Sequence, residues 1–93
     1  MIVRILSEDQ YDLPGKYIDE LNAIDNELVE LVEEGNVAGL TPKLQTMLSL
    51  VRNHGTLVPV DELIESDLVL PNSDISFDEA TSLFKGEGLI PYW

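Results

Sequence analysis

The apolar residues between Tyr17 and Val51 fix most of what this chain can fold into. They fall at Tyr17, Leu21, Ile24, Leu28 and Leu31, with Ile18 and Val32 beside them, and again at Leu40, Leu44, Met47 and Val51, with Leu48 alongside. A step of alternately four and three residues puts one apolar stripe on each of two amphipathic helices. Gly35 is expected to end the first, which at about 18 residues is roughly 27 Å long. His54-Gly55 is expected to end the second. Thr41 and Pro42 suit the N-cap and first residue of that second helix. A start at Val37 would instead place the proline inside the helix, where it removes a backbone hydrogen bond. Two helices joined by so short a Gly-Asn connection most simply form an antiparallel hairpin.

The flanks add strands and a third helix. Met1 to Leu6 is an aliphatic run broken only by Arg4, and Tyr11 and Leu13 follow an acidic turn at Glu8-Asp9-Gln10. The pattern predicts a small β-hairpin, closed by Pro14-Gly15 and needing a helix to lie against, because two strands alone are marginal in water. Thr56 to Asp74 has no sustained period; Glu62 to Glu65 is expected to make one helical turn, and Leu68-Val69-Leu70 an extended segment on the core. Ser76 and Glu79 have the spacing of a capping box and open a short helix through Leu83-Phe84, ended by Gly86 or Gly88. Leu89-Ile90 then reads as extended chain. The expected architecture is α+β: a small N-terminal β-hairpin packed on an antiparallel helical hairpin, plus a short C-terminal helix. No linker or repeat divides residues 1–93, which read as one domain.

Charge narrows the function. Eighteen acidic residues against five basic ones give a net charge of -13, although 44% of the residues are hydrophobic, as in a folded protein. A field of that sign repels nucleic acid and anionic lipid headgroups, so neither nucleic-acid binding nor direct membrane insertion is expected. The chain has no cysteine, which rules out disulfides and thiolate metal sites. Met1 to Leu6 is too short for a signal peptide and no apolar run approaches about 18 residues, so a cytoplasmic location is expected. The acidity itself has two readings, a solvating surface or a face for a basic partner.

Residue by residue, the chain offers no catalytic set, metal site or cofactor site. His54 is the single histidine and follows Arg52 at the expected helix C-terminus, where positive charge meets the negative end of the dipole. No Gly-x-Ser-x-Gly elbow or phosphate loop accompanies it. Asn72, Asp74, Ser76 and Asp78 alternate like the ligands of an EF-hand loop, but Phe77 stands where that loop needs glycine and Leu83 where it needs a bidentate carboxylate. Turn formation and capping explain the string instead. Asp61, Glu62, Glu65 and Asp67 are close enough in sequence to pair for acid–base or magnesium chemistry, yet no motif selects one pair. Glu30, Glu33 and Glu34 are a different matter. They crowd the last turn of the first helix, where negative charge opposes the dipole, and a cationic partner covering that end would remove the misfit. Tyr92 and Trp93 close an apolar terminus, Leu89-Ile90-Pro91-Tyr92-Trp93, of the kind that anchors interfaces. These five residues are the candidate partner-binding set.

Several segments in order carry a resemblance: Met1 to Leu6 with Tyr11, Leu21-Asn22 with Asp25 and Leu28, Leu50-Val51-Arg52 with Gly55-Thr56, Ser66 to Pro71, and Glu87 to Pro91. In that arrangement the chain resembles the small PspA-associated proteins, which are encoded beside phage shock protein A, a membrane-stress protein that assembles on bilayers. Two positions depart from the family pattern: Ser7, where glycine is usual, and Thr41-Pro42 within the second helix. The resemblance implies a non-enzymatic adaptor of the phage-shock system that docks on a PspA-type protein and is recruited to the membrane through it. It supplies no catalytic residues. The alternatives are a homo-oligomeric structural module that uses the helix stripe, and a small carboxylate or metal-dependent enzyme.

Overall fold

A computed structural model describes residues 1–6, 8–59, 61–62 and 64–84 of the chain. Strands β1 (Ile2–Ile5) and β2 (Gln10–Asp12) form the expected antiparallel hairpin, with Val3 opposite Tyr11 and Arg4 opposite Gln10. Ser7, in its turn, lies outside the described residues. A 3-10 turn at Gly15–Tyr17 leads into α1 (Ile18–Glu33), and α2 (Val37–His54) returns antiparallel to it. Strands β3 (Thr56–Leu57) and β4 (Leu68–Leu70) and helix α3 (Phe77–Leu83) follow.

The sheet is larger than the hairpin expected from sequence. Its order is β3-β2-β1-β4, with β4 parallel to β1 and β3 antiparallel to β2. Leu68-Val69-Leu70 is therefore a paired strand and not merely an extended segment. Its register sets Leu68 beside Val3 and Leu70 beside Ile5, and all four side chains are buried. Because side chains alternate across a strand, Arg4 and its neighbour Val69 fall on the opposite, outer face, where both are exposed.

The helical hairpin covers the inner face. Leu21, Leu28, Leu44, Met47, Leu48 and Val51 of the predicted stripes are fully or almost fully buried, in one core with Val3, Ile5, Leu70, Ala80 and Phe84. Tyr17 and Leu31, at the two ends of the first stripe, are half-buried. Gly35 ends α1 with φ +69°, a left-handed conformation that costs a residue with a Cβ about 1 kcal/mol or more. Its N–H donates to the Val32 carbonyl at 3.1 Å and the Asn36 N–H to the Leu31 carbonyl at 2.9 Å, the two bonds of a Schellman motif. Asn36 then caps α2, its Oδ1 accepting from the Gly39 N–H at 2.9 Å.

That cap moves the start of α2 four residues ahead of Thr41, so Pro42 lies inside the helix and is not its first residue. The cap and the burial of Leu40 together outweigh the one hydrogen bond that the proline removes. At the other end of α2, Gly55 passes so close to α2 and β2 that an added Cβ would meet the Val51 carbonyl oxygen at 2.6 Å and the Tyr11 Cβ at 2.9 Å.

The segment between β3 and β4 departs from the sequence pattern. Asp61 and Glu62 lie in a turn and a bend, and the described residues from Ile64 to Ser66 have no regular structure; Leu63, inside the helical turn expected over 62–65, lies outside the described residues. Helix α3 opens as predicted: Ser76 Oγ accepts from the Glu79 N–H at 3.1 Å, and the Glu79 carboxylate accepts from the Ser76 N–H. Gly86, Gly88 and Leu89-Ile90 lie outside the described residues. Among those that are described, no helix is long and apolar enough to cross a membrane.

Candidate functional site

Two charged features stand out. The first is the exposed side of α1. This helix carries Asp19, Glu20, Glu27, Glu30 and Glu33 on its surface, with Glu34 as its C-cap, and no lysine or arginine. Glu30, Glu33 and Glu34 are exposed in the last turn, as the sequence implies, and among the described residues none of the three has an ion-pair partner. Of these surface acids Glu27 has an ion-pair partner among the described residues, Lys43 of α2. Tyr92 and Trp93, the other predicted partner-binding residues, lie outside the described residues.

The second feature is a cleft of about 430 Å³ on the outer face of the sheet. Arg4 of β1 and Gln10 of β2 line it from the strands, Glu8 and Asp9 from the hairpin turn, and Val58, Pro59, Glu62, Ile64 and Glu65 from the chain between β3 and β4. Gln10 fixes that chain in place. Its side-chain amide donates both hydrogens, to the Ile64 carbonyl at 2.9 Å and to Ser66 Oγ at 2.7 Å, and its backbone carbonyl accepts from the Val58 N–H at 2.9 Å. The cleft is thus formed in advance of any ligand. Among the described residues Arg4, Asp9, Glu62 and Glu65 have no ion-pair partner.

Glu8 is the exception in the cleft, because it is tied to the end of α2. Its carboxylate takes both Arg52 Nε, at 3.1 Å, and Arg52 Nη2, a bidentate pair that fixes orientation as well as charge. The hydrogen bonds that Arg52 donates to Glu8, more than the plain charge of Glu8, raise the Arg52 pKa above its ordinary value. His54, two residues on, lies in the last turn of α2 as expected. It stacks on Tyr17, ring centroids 4.2 Å apart and planes 18° from parallel. This contact clamps the start of α1 to the end of α2, and no nucleophile is paired with the imidazole among the described residues.

The sequence pattern reveals the acidic end of α1 but not the cleft, whose lining comes from segments some fifty residues apart. Asp61, Glu62, Glu65 and Asp67, neighbours in sequence, are divided by the fold: Glu62 and Glu65 line the cleft, whereas Asp67 is bound to the backbone of Ile2. Asn72 and Asp74 form a turn, the Asn72 Oδ1 accepting from the Asp74 N–H at 3.1 Å. Asp25 is a core residue that the apolar pattern omits. It is completely buried on the α1 stripe and has an interaction partner. Its position, four residues after Leu21 and three before Leu28, is the signal that marks it.

Among the described residues the geometry offers an acidic helix surface and a cleft lined by charged and apolar side chains. A family model described as PspA-associated protein matches residues 1–92. The chain belongs to that family. No curated protein and no solved structure gives a significant match. Association with PspA is what the family's name states.

Proposed function

We propose that this chain is a non-enzymatic adaptor that docks on a PspA-type protein in the phage-shock response to envelope stress. The observation that carries the reading is membership of the PspA-associated family over residues 1–92. The acidic end of α1 supports it. Glu30, Glu33 and Glu34 lie exposed where the helix dipole disfavours them, and a cationic patch on the partner would relieve both the dipole conflict and their mutual repulsion. Tyr92 and Trp93 supply the aromatic contact that would hold the complex once formed.

Docking is reversible and alters how the PspA-type protein assembles or couples to its regulator. The adaptor works in the cytoplasm and reaches the membrane only through its partner, since its own net charge of -13 opposes anionic lipid. Surface plasmon resonance against the cognate PspA-type protein, near physiological salt, is the test. Saturable binding is expected, with faster dissociation once Tyr92-Trp93 is deleted. No binding at tens of micromolar between folded partners would sink the adaptor reading.

A further inference from the structure

The cleft on the outer sheet face calls for a ligand of narrower chemistry than the acidic helix does. Its volume of about 430 Å³ is at the lower end of the range for small-ligand sites, roughly 300 to 1,000 Å³. Val58, Pro59 and Ile64 give it an apolar wall, and Asp9, Glu62 and Glu65 give it carboxylates without ion-pair partners among the described residues. Ile64 in that wall is 37% exposed, and Val69, next to Arg4 on the same sheet face, is 44% exposed. Apolar stem and cationic tip are the two parts of a lysine or arginine side chain.

We propose that this face is a docking groove for a basic, partly apolar segment of a protein partner, with one lysine or arginine side chain seated in the cleft. An anionic ligand would meet Glu8, Asp9, Glu62 and Glu65 against the single Arg4. A second copy of the chain would bring a further charge of -13 to the same face. A cationic segment meets neither penalty. Arg4 then sets the stoichiometry: its guanidinium repels a second cation in the cleft, and its N–H donors suit the backbone carbonyls of the segment lying across the sheet. Because Gln10 already holds Ile64 and Ser66, little ordering is left to oppose binding.

The groove is separate from the last turn of α1, where Glu30, Glu33 and Glu34 lie. Arg52, which grips Glu8 at the cleft, is 16 residues along α2 from Asn36, which follows that turn, and that is about 24 Å of helix. The inference goes beyond the proposed docking on a PspA-type protein and is tested without that protein.

The experiment is a titration of the isotope-labelled full chain with acetyl-Lys-Leu-Lys-Leu-Lys-amide at about 0.15 M salt, followed by amide chemical shifts. Saturable shifts are expected at Arg4, Asp9, Gln10, Glu62 and Glu65. The triple variant D9N/E62Q/E65Q should bind the peptide about tenfold more weakly, while E30Q/E33Q/E34Q, which removes the same number of charges from the end of α1, changes binding less than about twofold. Thermal melts confirm that both variants are folded. Equal losses in the two variants, or shifts spread over the whole acidic surface, would show general attraction and overturn the proposal. So would concentration-dependent shifts at the groove without peptide, which would make a second copy its occupant. Failure here with intact binding to the PspA-type protein would leave the adaptor reading standing.

Discussion

Asp67 holds the backbone of Ile2 at both of its polar groups: the Asp67 carboxylate accepts the Ile2 N–H at 2.8 Å, and the Asp67 N–H donates to the Ile2 carbonyl at 2.8 Å. The pair lies at the start of the parallel β1–β4 ladder, across 65 residues of chain. It brings the segment after the cleft into register with the first strand.

Replacing Asp67 with alanine should therefore lower stability by about 1 kcal/mol, the net worth of one such bond near the surface. Asp67→Asn keeps an acceptor and should lose less. Urea unfolding followed by circular dichroism measures both, and an unchanged midpoint for Asp67→Ala would mean that water replaces the carboxylate without loss.

Much of the helical hairpin is legible in the sequence because its information is local. Leu21, Ile24 and Leu28 repeat at the helical period, Gly35 ends the first helix, and Ser76 and Glu79 announce α3, whereas Thr41-Pro42 reads as the cap of α2 that Asn36 in fact provides. Strand β4 is not legible in this way. Three residues, Leu68 to Leu70, are too short to show a period, and the partner that makes them a strand is β1 at the other end of the chain. The cleft is hidden for the same reason: only the sheet brings Arg4 and Gln10 beside Glu62 and Glu65. Asp25 escapes notice because a carboxylate on an apolar stripe reads as a gap until the structure shows it buried.

Leu28 tests the stripe most directly. Its side chain is fully buried in the core that the helices share with the sheet, and Leu28→Ala should cost about 2 to 5 kcal/mol, the range for a leucine removed from a packed interior. For a chain of this size that is a large share of the total stability. A variant that melts like the parent would place Leu28 at an interface with another molecule rather than in the core.

Pro42 gives a prediction of the opposite sign. It stands five residues into α2, where it cannot donate to the carbonyl of Ala38, and its ring crowds that same carbonyl. Pro42→Ala restores the donor at the cost of a looser unfolded chain, a smaller effect of about 0.4 to 1 kcal/mol. A net gain of about 1 kcal/mol is expected. Lower thermal stability of the variant would show that the proline's restriction of the unfolded chain outweighs the missing hydrogen bond.

Self-repulsion should make the fold respond to salt. The exposed side of α1 carries acidic residues from Asp19 to Glu34 with Lys43 of α2 as the one cation paired to it among the described residues. Screening over about 10 Å at 0.1 M salt weakens that repulsion more than it weakens the close Arg52–Glu8 pair. Melting temperature should rise from low to moderate sodium chloride; a flat or falling curve would mean that repulsion does not limit stability.

Association with the PspA-type partner should be sensitive to the same charges in its rate rather than its lifetime. Long-range attraction acts before contact, so changing Glu30, Glu33 and Glu34 together to Gln should slow association several-fold and leave dissociation nearly unchanged, with the difference shrinking as salt is added. Close ion pairs buried in the complex would behave otherwise, because losing them speeds dissociation. Stopped-flow association of parent and triple variant across a salt series separates the two cases. If the variant associates as fast as the parent at low salt, the end of α1 is a solvated surface and the partner meets the protein elsewhere.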